Sequence, residues 1–337
     1  MSNLAKRTKL DVNYNGSNIT VQLYEFLMNW SFTDNLSGAI DDLSLTLEDR
    51  DALWLQSWFP VQGSTIAPTI VREGWAKYPL STKLGLFEVD EISGKNSVIS
   101  IKALATSEKS SLRKEEKCNA WEKSSLKKVL GAIASKNGMS LVWQSKEDPK
   151  KDRYEQDNQT DLAFMYEECR EAGLCLKINS NKIIVLDEKD YEEKQPVTHI
   201  NRMPREDDKI KIIDRSFTSS ITDVFKECRV QHHEASKKKT IKGSFTAPGV
   251  KTGRTLVVKQ QVKSQAEAKQ LAKKKLREKN KEAVKFTLKV YSQMHIDAGM
   301  TFDLREFGHL SGKYIATQVV YGPHEITLQL RKCLEGY

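Results

Sequence analysis

No stretch of this 337-residue chain is long and apolar enough to suggest a membrane span. Residues 52–71 carry no charge, but Pro60, Gly63 and Pro68 and several Gln, Ser and Thr residues break any spanning helix there. Residues 1–7 lack the apolar core of a secretory leader, so the expectation is a protein made and assembled in a cytoplasm. Cysteine is scarce. Cys118, Cys169, Cys175, Cys228 and Cys333 are odd in number and include no CxxC pair, which argues against a disulfide framework or a zinc site and predicts reduced, buried thiols. Catalytic signatures are also missing. There is no G-x-S-x-G elbow. His233-Glu234 and His324-Glu325 each open a zincin pattern, but Lys237 and Leu328 occupy the positions where the second His must stand. Residues 308–313 are one residue short of a phosphate loop, and Tyr314 replaces the Ser or Thr that would hold magnesium. The adjacent acids Glu115-Glu116 and Glu167-Glu168 are ordinary surface pairs. The expectation is a protein with no catalytic residues, no cofactor and no metal.

What the chain does have is an uneven charge. It holds 54 Lys and Arg against 45 Asp and Glu, a net of +9, and residues 226–290 alone hold 19 Lys and Arg against 5 acids. Such a block suits nucleic acid, an acidic protein face or a membrane surface. The block contains only two aromatics, Phe245 and Phe286, poor material for stacking on bases, and no helix-turn-helix or finger pattern accompanies it. A basic nucleic-acid-binding or regulatory protein is therefore the alternative reading. The preferred one has Lys237, Lys238, Lys239, Lys273, Lys274 and Lys275 docking on acidic faces of neighbouring proteins, with no specific nucleic acid and no membrane as partner. A second candidate interface is aromatic. Trp54, Trp58 and Phe59 follow Arg50, with Trp75 and Tyr78 further on, and form either core or a docking loop.

Periodicity sets the elements. Leu10, Val12 and Tyr14 alternate into an Asn15-Gly16 turn, and Ile19, Val21 and Leu23 continue the alternation. Trp30 and Phe32, then Leu43, Leu45 and Leu47, then Phe87 and Val89, then Ile99, Ile101 and Ala103 give further strands of a barrel or sandwich. Ser124 is placed to cap a helix carrying Leu126, Val129, Leu130 and Ile133, with strand 141–143 next. Residues 145–159 read as a polar loop. Thr160 caps a second helix that ends at Gly173, and strands follow at 174–178 and 183–186. Residues 187–195 read as a return linker. Strands resume at 210–213 and 225–230, residues 236–254 read as a long mobile hairpin or loop, and 255–262 as a strand. Ser264 and Glu267 form a capping box for a helix to residue 280 that feeds alternating strands 284–290, 314–320 and 325–331. A weak internal echo lays Phe32, Leu43, Leu45 and Leu47 over Ile315, Ile326, Leu328 and Leu330.

Several ordered motifs carry a family resemblance. The helix 264–280, then Ala298-Gly299-Met300-Thr301, Phe307-Gly308 and Gly312-Lys313-Tyr314, resemble the phage late control protein D family. So do Asp34-Asn35, Ser37-Gly38, residues 41–50, Trp54 and Trp58-Phe59-Pro60 at the front, and Ser111-Leu112-Arg113, Ala120-Trp121 and residues 161–164 in the middle. That family comprises baseplate hub proteins of contractile tails and tail-like bacteriocins, and is similar to the N-terminal part of type VI secretion spike proteins. The resemblance implies a β-rich α+β fold: a tube-like β-barrel at 1–105, an α+β insertion at 106–196, and a second barrel with one long helix at 197–337, with some strands shared. It implies a homotrimeric adaptor joining the six-fold tail tube protein to the three-fold central spike protein. Other baseplate proteins and the tape measure protein would be further partners, within a virion or tail-like particle. A hub associated with cell-wall degradation is a second alternative, which the end of the chain at Tyr337, straight after the last strand, disfavours. The basic block is expected outside the channel.

Overall fold

The structure is a computed structural model. It describes residues 6–61, 63–74, 81–105, 111–220, 222, 224–234 and 239–337. The first part supplies β1 (Arg7–Tyr14), β2 (Ser17–Asn18), α1 (Thr20–Tyr24), β3 (Leu27–Asn35), β4 (Asp42–Glu48), β5 (Thr65–Glu73), β6 (Ser81–Lys83), β7 (Phe87–Lys95) and β8 (Val98–Leu104). The middle supplies β9 (Glu116–Ser125), α2 (Leu126–Lys136), β10 (Ser140–Trp143), β11 (Lys150–Thr160), α3 (Asp161–Ala172), β12 (Leu174–Asn179), β13 (Lys182–Asp187) and α4 (Glu188–Glu193). The last part supplies β14 (Thr198–Asn201), β15 (Ile210–Ser219), β16 (Phe225–Glu234), β17 (Lys239–Thr246), β18 (Arg254–Val258), α5 (Gln265–Asn280), β19 (Val284–Ser292), β20 (Thr301–Arg305), β21 (Gly312–Tyr321) and β22 (Ile326–Lys332).

The fold is α+β and β-rich. Among the described residues the strands expected in the two barrels are paired into one sheet. One 14-stranded sheet runs β15-β19-β22-β21-β3-β4-β8-β7-β5-β1-β2, with β14, β20 and β6 attached beside it. Among the described residues no pairing joins its ends. The two halves meet where β3 lies antiparallel to β21, from Asn35↔Gln318 to Phe32↔Tyr321. Phe32 and Tyr321 stack across this seam at 6.2 Å. The two hairpins of the internal echo, β3-β4 and β21-β22, are the pair that flanks the seam. Inward residues of both halves, among them Leu10, Trp30, Leu43, Ile99, Phe286, Tyr314 and Leu328, form one continuous apolar core. This continuity ties the two halves of the sheet into one body.

Three smaller layers attach to this sheet. In the middle part, β9 pairs with β11, and β10-β13-β12 form a second small sheet packed on α2 and α3 around Leu130, Ile133, Phe164, Leu176 and Ile183. Residues 145–159 are therefore largely strand, because β11 lays its polar residues beside β9 and buries Tyr154. In the last part, β17-β16-β18 form a third sheet. Helix α5 packs on it through Ala268, Ala272 and Leu276 against Cys228, Val230 and Ile241. In chain order α5 leads into β19 of the main sheet, and its buried face packs on this third sheet. Strand β17 occupies much of the expected 236–254 loop, and 235–238 lie outside the described residues. Residues 20–24 turn as a short helix despite their alternation, because Thr20 and Tyr24 bond back to β1.

Candidate interface sites

The aromatic candidates divide by burial. Trp54 is 8% exposed and packs in the main core, whereas Trp58 and Phe59 are 39% and 47% exposed. Trp54 and Trp58 meet edge to face at 5.3 Å, and Phe26 meets Trp58 in the same way at 5.3 Å. The Asp49 carboxylate accepts from the Trp54 N–H at 3.0 Å and sets the start of this loop. Arg50 is exposed and pairs with Glu48 at 2.6 Å. Trp54 is thus an anchor, and Trp58, Phe59, Leu55 and Val61 form a surface patch above it. Trp75 and Tyr78 lie outside the described residues, as do Lys237 and Lys238. Lys239 begins β17.

The lysines in and before α5 are engaged within the chain, Lys274 and Lys263 by the middle part. The helix is set by Ser264, whose hydroxyl accepts from the Glu267 N–H at 3.1 Å, while the Glu267 carboxylate accepts from the Lys263 N–H. Arg277 and Lys279 sit in its last turn, where the helix dipole favours cations. Lys274 pairs with Glu147 at 2.5 Å and Lys263 with Asp152 at 2.8 Å. Lys273 lies 5.3 Å from the centre of the Phe245 ring, and Lys275 reaches Glu278 at 3.6 Å. The acids that meet Lys274 and Lys263 are Glu147 in the β10–β11 connection and Asp152 in β11.

Two buried charge clusters hold the layers together. In the first, Arg331 of β22 is 1% exposed and its guanidinium bonds both Glu188 and Glu192 of α4. Arg277 of α5 reaches Glu192 at 2.6 Å and Glu188 at 3.2 Å, and Lys281 reaches Glu188 at 3.0 Å. Burial alone would raise the Glu188 carboxyl, but Arg331, Lys281 and Arg277 outweigh it and hold the group at about 2. One short helix thereby joins the main sheet, the middle part and α5. In the second, Lys177 of β12 bonds Asp34, Asp41 at 2.8 Å and the Asn35 carbonyl, at the β3–β4 turn. Asp34 also accepts from the Ala298 N–H at 2.8 Å, and the Ser37 hydroxyl accepts from the Leu176 N–H at 3.0 Å. The Asp34-Asn35, Ser37 and Asp41 motif and the Ala298 turn, far apart in sequence, therefore form one clamp.

Sequence reasoning did not single out Arg331, Glu188 or Glu192. A signal was present: Ile315 is the register partner of Arg331, and Ile315 and Cys333 are apolar on what should be the solvent face. Apolar residues on both faces of a strand mean that both faces are covered. An open cleft of about 630 Å³ runs along this seam past Cys175, Lys281 and Arg331. Burial pushes the Cys175 thiol up to about 12, so it is held as the unreactive thiol. Among the described residues no three His, Cys, Asp or Glu side chains are grouped to hold a metal, and no helix is long and apolar enough to cross a membrane.

None of the known family models and none of the curated proteins matches the sequence. Solved structures do match its fold. A tail protein from Neisseria meningitidis MC58 superposes with a TM-score of 0.71 at 12% identity, covering 96% of each chain. The 43 kDa tail protein of prophage MuSo2 from Shewanella oneidensis gives 0.70 at 12% identity over 96% of this chain and 98% of its own. An E. coli component of the type VI secretion system, itself similar in structure to T4 bacteriophage tail proteins, gives 0.55 at 11% identity over 99% of this chain and 76% of its own. The chain thus carries the fold of these tail proteins and of the type VI component.

Proposed function

We propose that the chain is a non-enzymatic baseplate hub of a contractile tail. It would assemble as a homotrimer and adapt the six-fold tail tube to a three-fold central spike, with other baseplate proteins and the tape measure protein as neighbours. It would reside in the baseplate of a virion or tail-like particle assembled in the bacterial cytoplasm. The observation that carries this reading is the strand order. Four strands on one side of the seam, β3-β4-β8-β7, face four on the other, β21-β22-β19-β15, each set led outward by a hairpin. Three such chains in a ring present six similar half-units on one face while the ring stays three-fold, so one object can match both symmetries. The tail-protein fold over 96% of the chain supports the same reading.

The nucleic-acid alternative loses ground on geometry. Lys263 and Lys274 are engaged by Asp152 and Glu147, and Arg277 and Lys281 by Glu188, so much of the basic block neutralises acids of its own chain. The test is solution mass by light scattering, at low and high salt, with and without a DNA oligomer and a spike protein. A trimer, alone or on addition of spike, with no DNA shift is the expected result. A monomer that ignores the spike and binds DNA with a steep salt dependence would overturn it.

A further inference from the structure

The third sheet, β17-β16-β18, is covered on one face only. Its inward rows hold Cys228, Val230 and Ile241, which pack on α5, with Leu256 and Val258 of β18 beside them. Alternation and register set the outward rows. Thr246, Glu227 and Thr255 lie side by side, then Ser244, Arg229 and Val257, then Lys242 and Gln231. All of these are exposed except the half-buried Glu227, whose carboxylate pairs with Arg229 at 2.8 Å.

The charge around this face is largely of one sign. Residues 222–263 hold ten Lys and Arg against three acids. Lys226 and Lys251 lie at the end of the sheet where β16 and β18 begin, and Lys242 and Lys259 lie toward the other end. All four are exposed, and among the described residues none of them is in an ion pair. The lysines of α5 on the opposite side differ. Lys273, Lys274 and Lys275 are half-buried and lie against Phe245, Glu147 and Glu278. The uncommitted cations of this unit are therefore concentrated on its sheet.

We propose that the outward face of this sheet docks on an acidic face of a neighbouring protein of the particle, with Arg229, Lys242 and the flanking lysines meeting its Asp and Glu side chains. This rests on the hub reading and names where its basic unit makes contact. The centre of the face is hydroxyl and amide, from Ser244, Thr246, Thr255 and Gln231. Such groups accept as well as donate, which suits the mixed polar surface of a protein. Nucleic acid fits the face less well. The outward rows hold no Phe, Tyr or Trp on which a base could stack. Three strands backed by a helix are also too broad for the major groove, which admits one helix or a two-stranded ribbon. Strand spacing and rise make the face roughly 14 by 20 Å, well under the area of about 800 Å² per partner in a stable interface. A single contact is therefore weak and salt-sensitive, and a ring of three copies firms it by simultaneous engagement.

The test uses tail particles that contain the full chain. A carbodiimide couples amines directly to carboxylates, so mass spectrometry records each lysine that touches a partner's Asp or Glu. Lys226, Lys242 and Lys259 are expected to link to one other protein of the particle. With Arg229→Glu and Lys242→Glu together, the links per chain from Lys226 and Lys259 are expected to fall at least about tenfold, while the solution mass of the free chain is unchanged. Arg229→Lys with Lys242→Arg should keep those links, because the charge is kept. Three results overturn the proposed contact and leave the hub reading in place: links only within the chain or to a second copy, lysines that become reactive on nuclease treatment, or links that survive the double charge reversal. A wild-type chain absent from tail particles overturns both.

Discussion

Arg331 is the residue on which most of the internal electrostatics converge. Its guanidinium is buried between Glu188 and Glu192. Removing one partner of such a cluster leaves the others as uncompensated buried charge, so Arg331→Met is expected to cost about 3–5 kcal/mol. Denaturant unfolding checks this. Combining Arg331→Met with Glu188→Gln and Glu192→Gln should return part of the loss. The pH dependence follows from the same group. Glu188 titrates near 2 in the folded chain against 4.5 ordinarily, so its contribution is fully present above about pH 4.5 and is lost as pH falls toward 2. A thermal series should show an acid-side decline in that window that is shallower in Glu188→Gln. Asp41 behaves in the opposite sense. Burial, with Asp34 adding to it, outweighs Lys177 and pushes its carboxyl up to about 6, so keeping it ionised at neutral pH is a cost. Asp41→Asn keeps an acceptor for the Asn35 N–H and leaves Asp34 to pair Lys177. It is expected to change stability at pH 7 by no more than about 1 kcal/mol, whereas Lys177→Met, which strands two buried carboxylates, should cost about 3–5 kcal/mol.

Helix α5 lies unusually close to its sheet, and Gly243 of β17 is the reason. A Cβ at this position would lie 2.5 Å from the Lys269 nitrogen and 2.7 Å from the Ala268 Cβ, so main chain rather than a movable side chain is in the way. Gly243→Ala is expected to push the helix off β16 and β17 and to cost about 1–3 kcal/mol. The measurable sign is faster amide exchange in α5 and β17 than in the main sheet. That helix shows how much was legible. Its start at Ser264, its end near Asn280 and its thin stripe of Ala268, Ala272 and Leu276 could be read from the sequence, because caps and period are local. Thr160, Gly173 at φ +75 and the Asn15-Gly16 turn, both of its residues at positive φ, were legible for the same reason. What α5 packs against was not legible, because strands at 225–230 and 255–262 could be read singly but their assembly with β17 and the helix rests on contacts between segments. Strand β11 escaped because its residues are polar and only Tyr154 and Gln156 are buried. Helix α4 looked like a linker because its buried residues are glutamates, whose partners lie 85–139 residues away.

At the scale of the whole molecule, four apolar clusters could in principle melt separately. The main core, the α2–α3 core and the α5 core share few apolar contacts, and the fourth is a small cluster of Leu36, Cys175, Leu186 and Ile315 at the seam. The outer ion pairs to the middle part, Lys274–Glu147 from α5 and Lys263–Asp152 from just before it, are solvent-exposed and weak, more so in salt. They cannot couple the layers. Coupling falls to the two buried clusters, because each draws its charges from different layers and none of those charges is tolerable unpaired. Lys177 ties the middle part to the first half of the sheet at Asp34 and Asp41, and α4 ties the middle part to Arg331 of the second half and to Arg277 and Lys281 at the end of α5. This bracing makes the layers move as one body. The expected outcome is a single calorimetric transition for the monomeric chain at neutral pH, unchanged in number at about 1 M salt. Glu188→Gln with Glu192→Gln should split it into two, with the α5 layer melting first. Two transitions in the wild type would show that the layers are not coupled, and one in the double variant with an unshifted midpoint would show that the apolar seam alone carries the coupling.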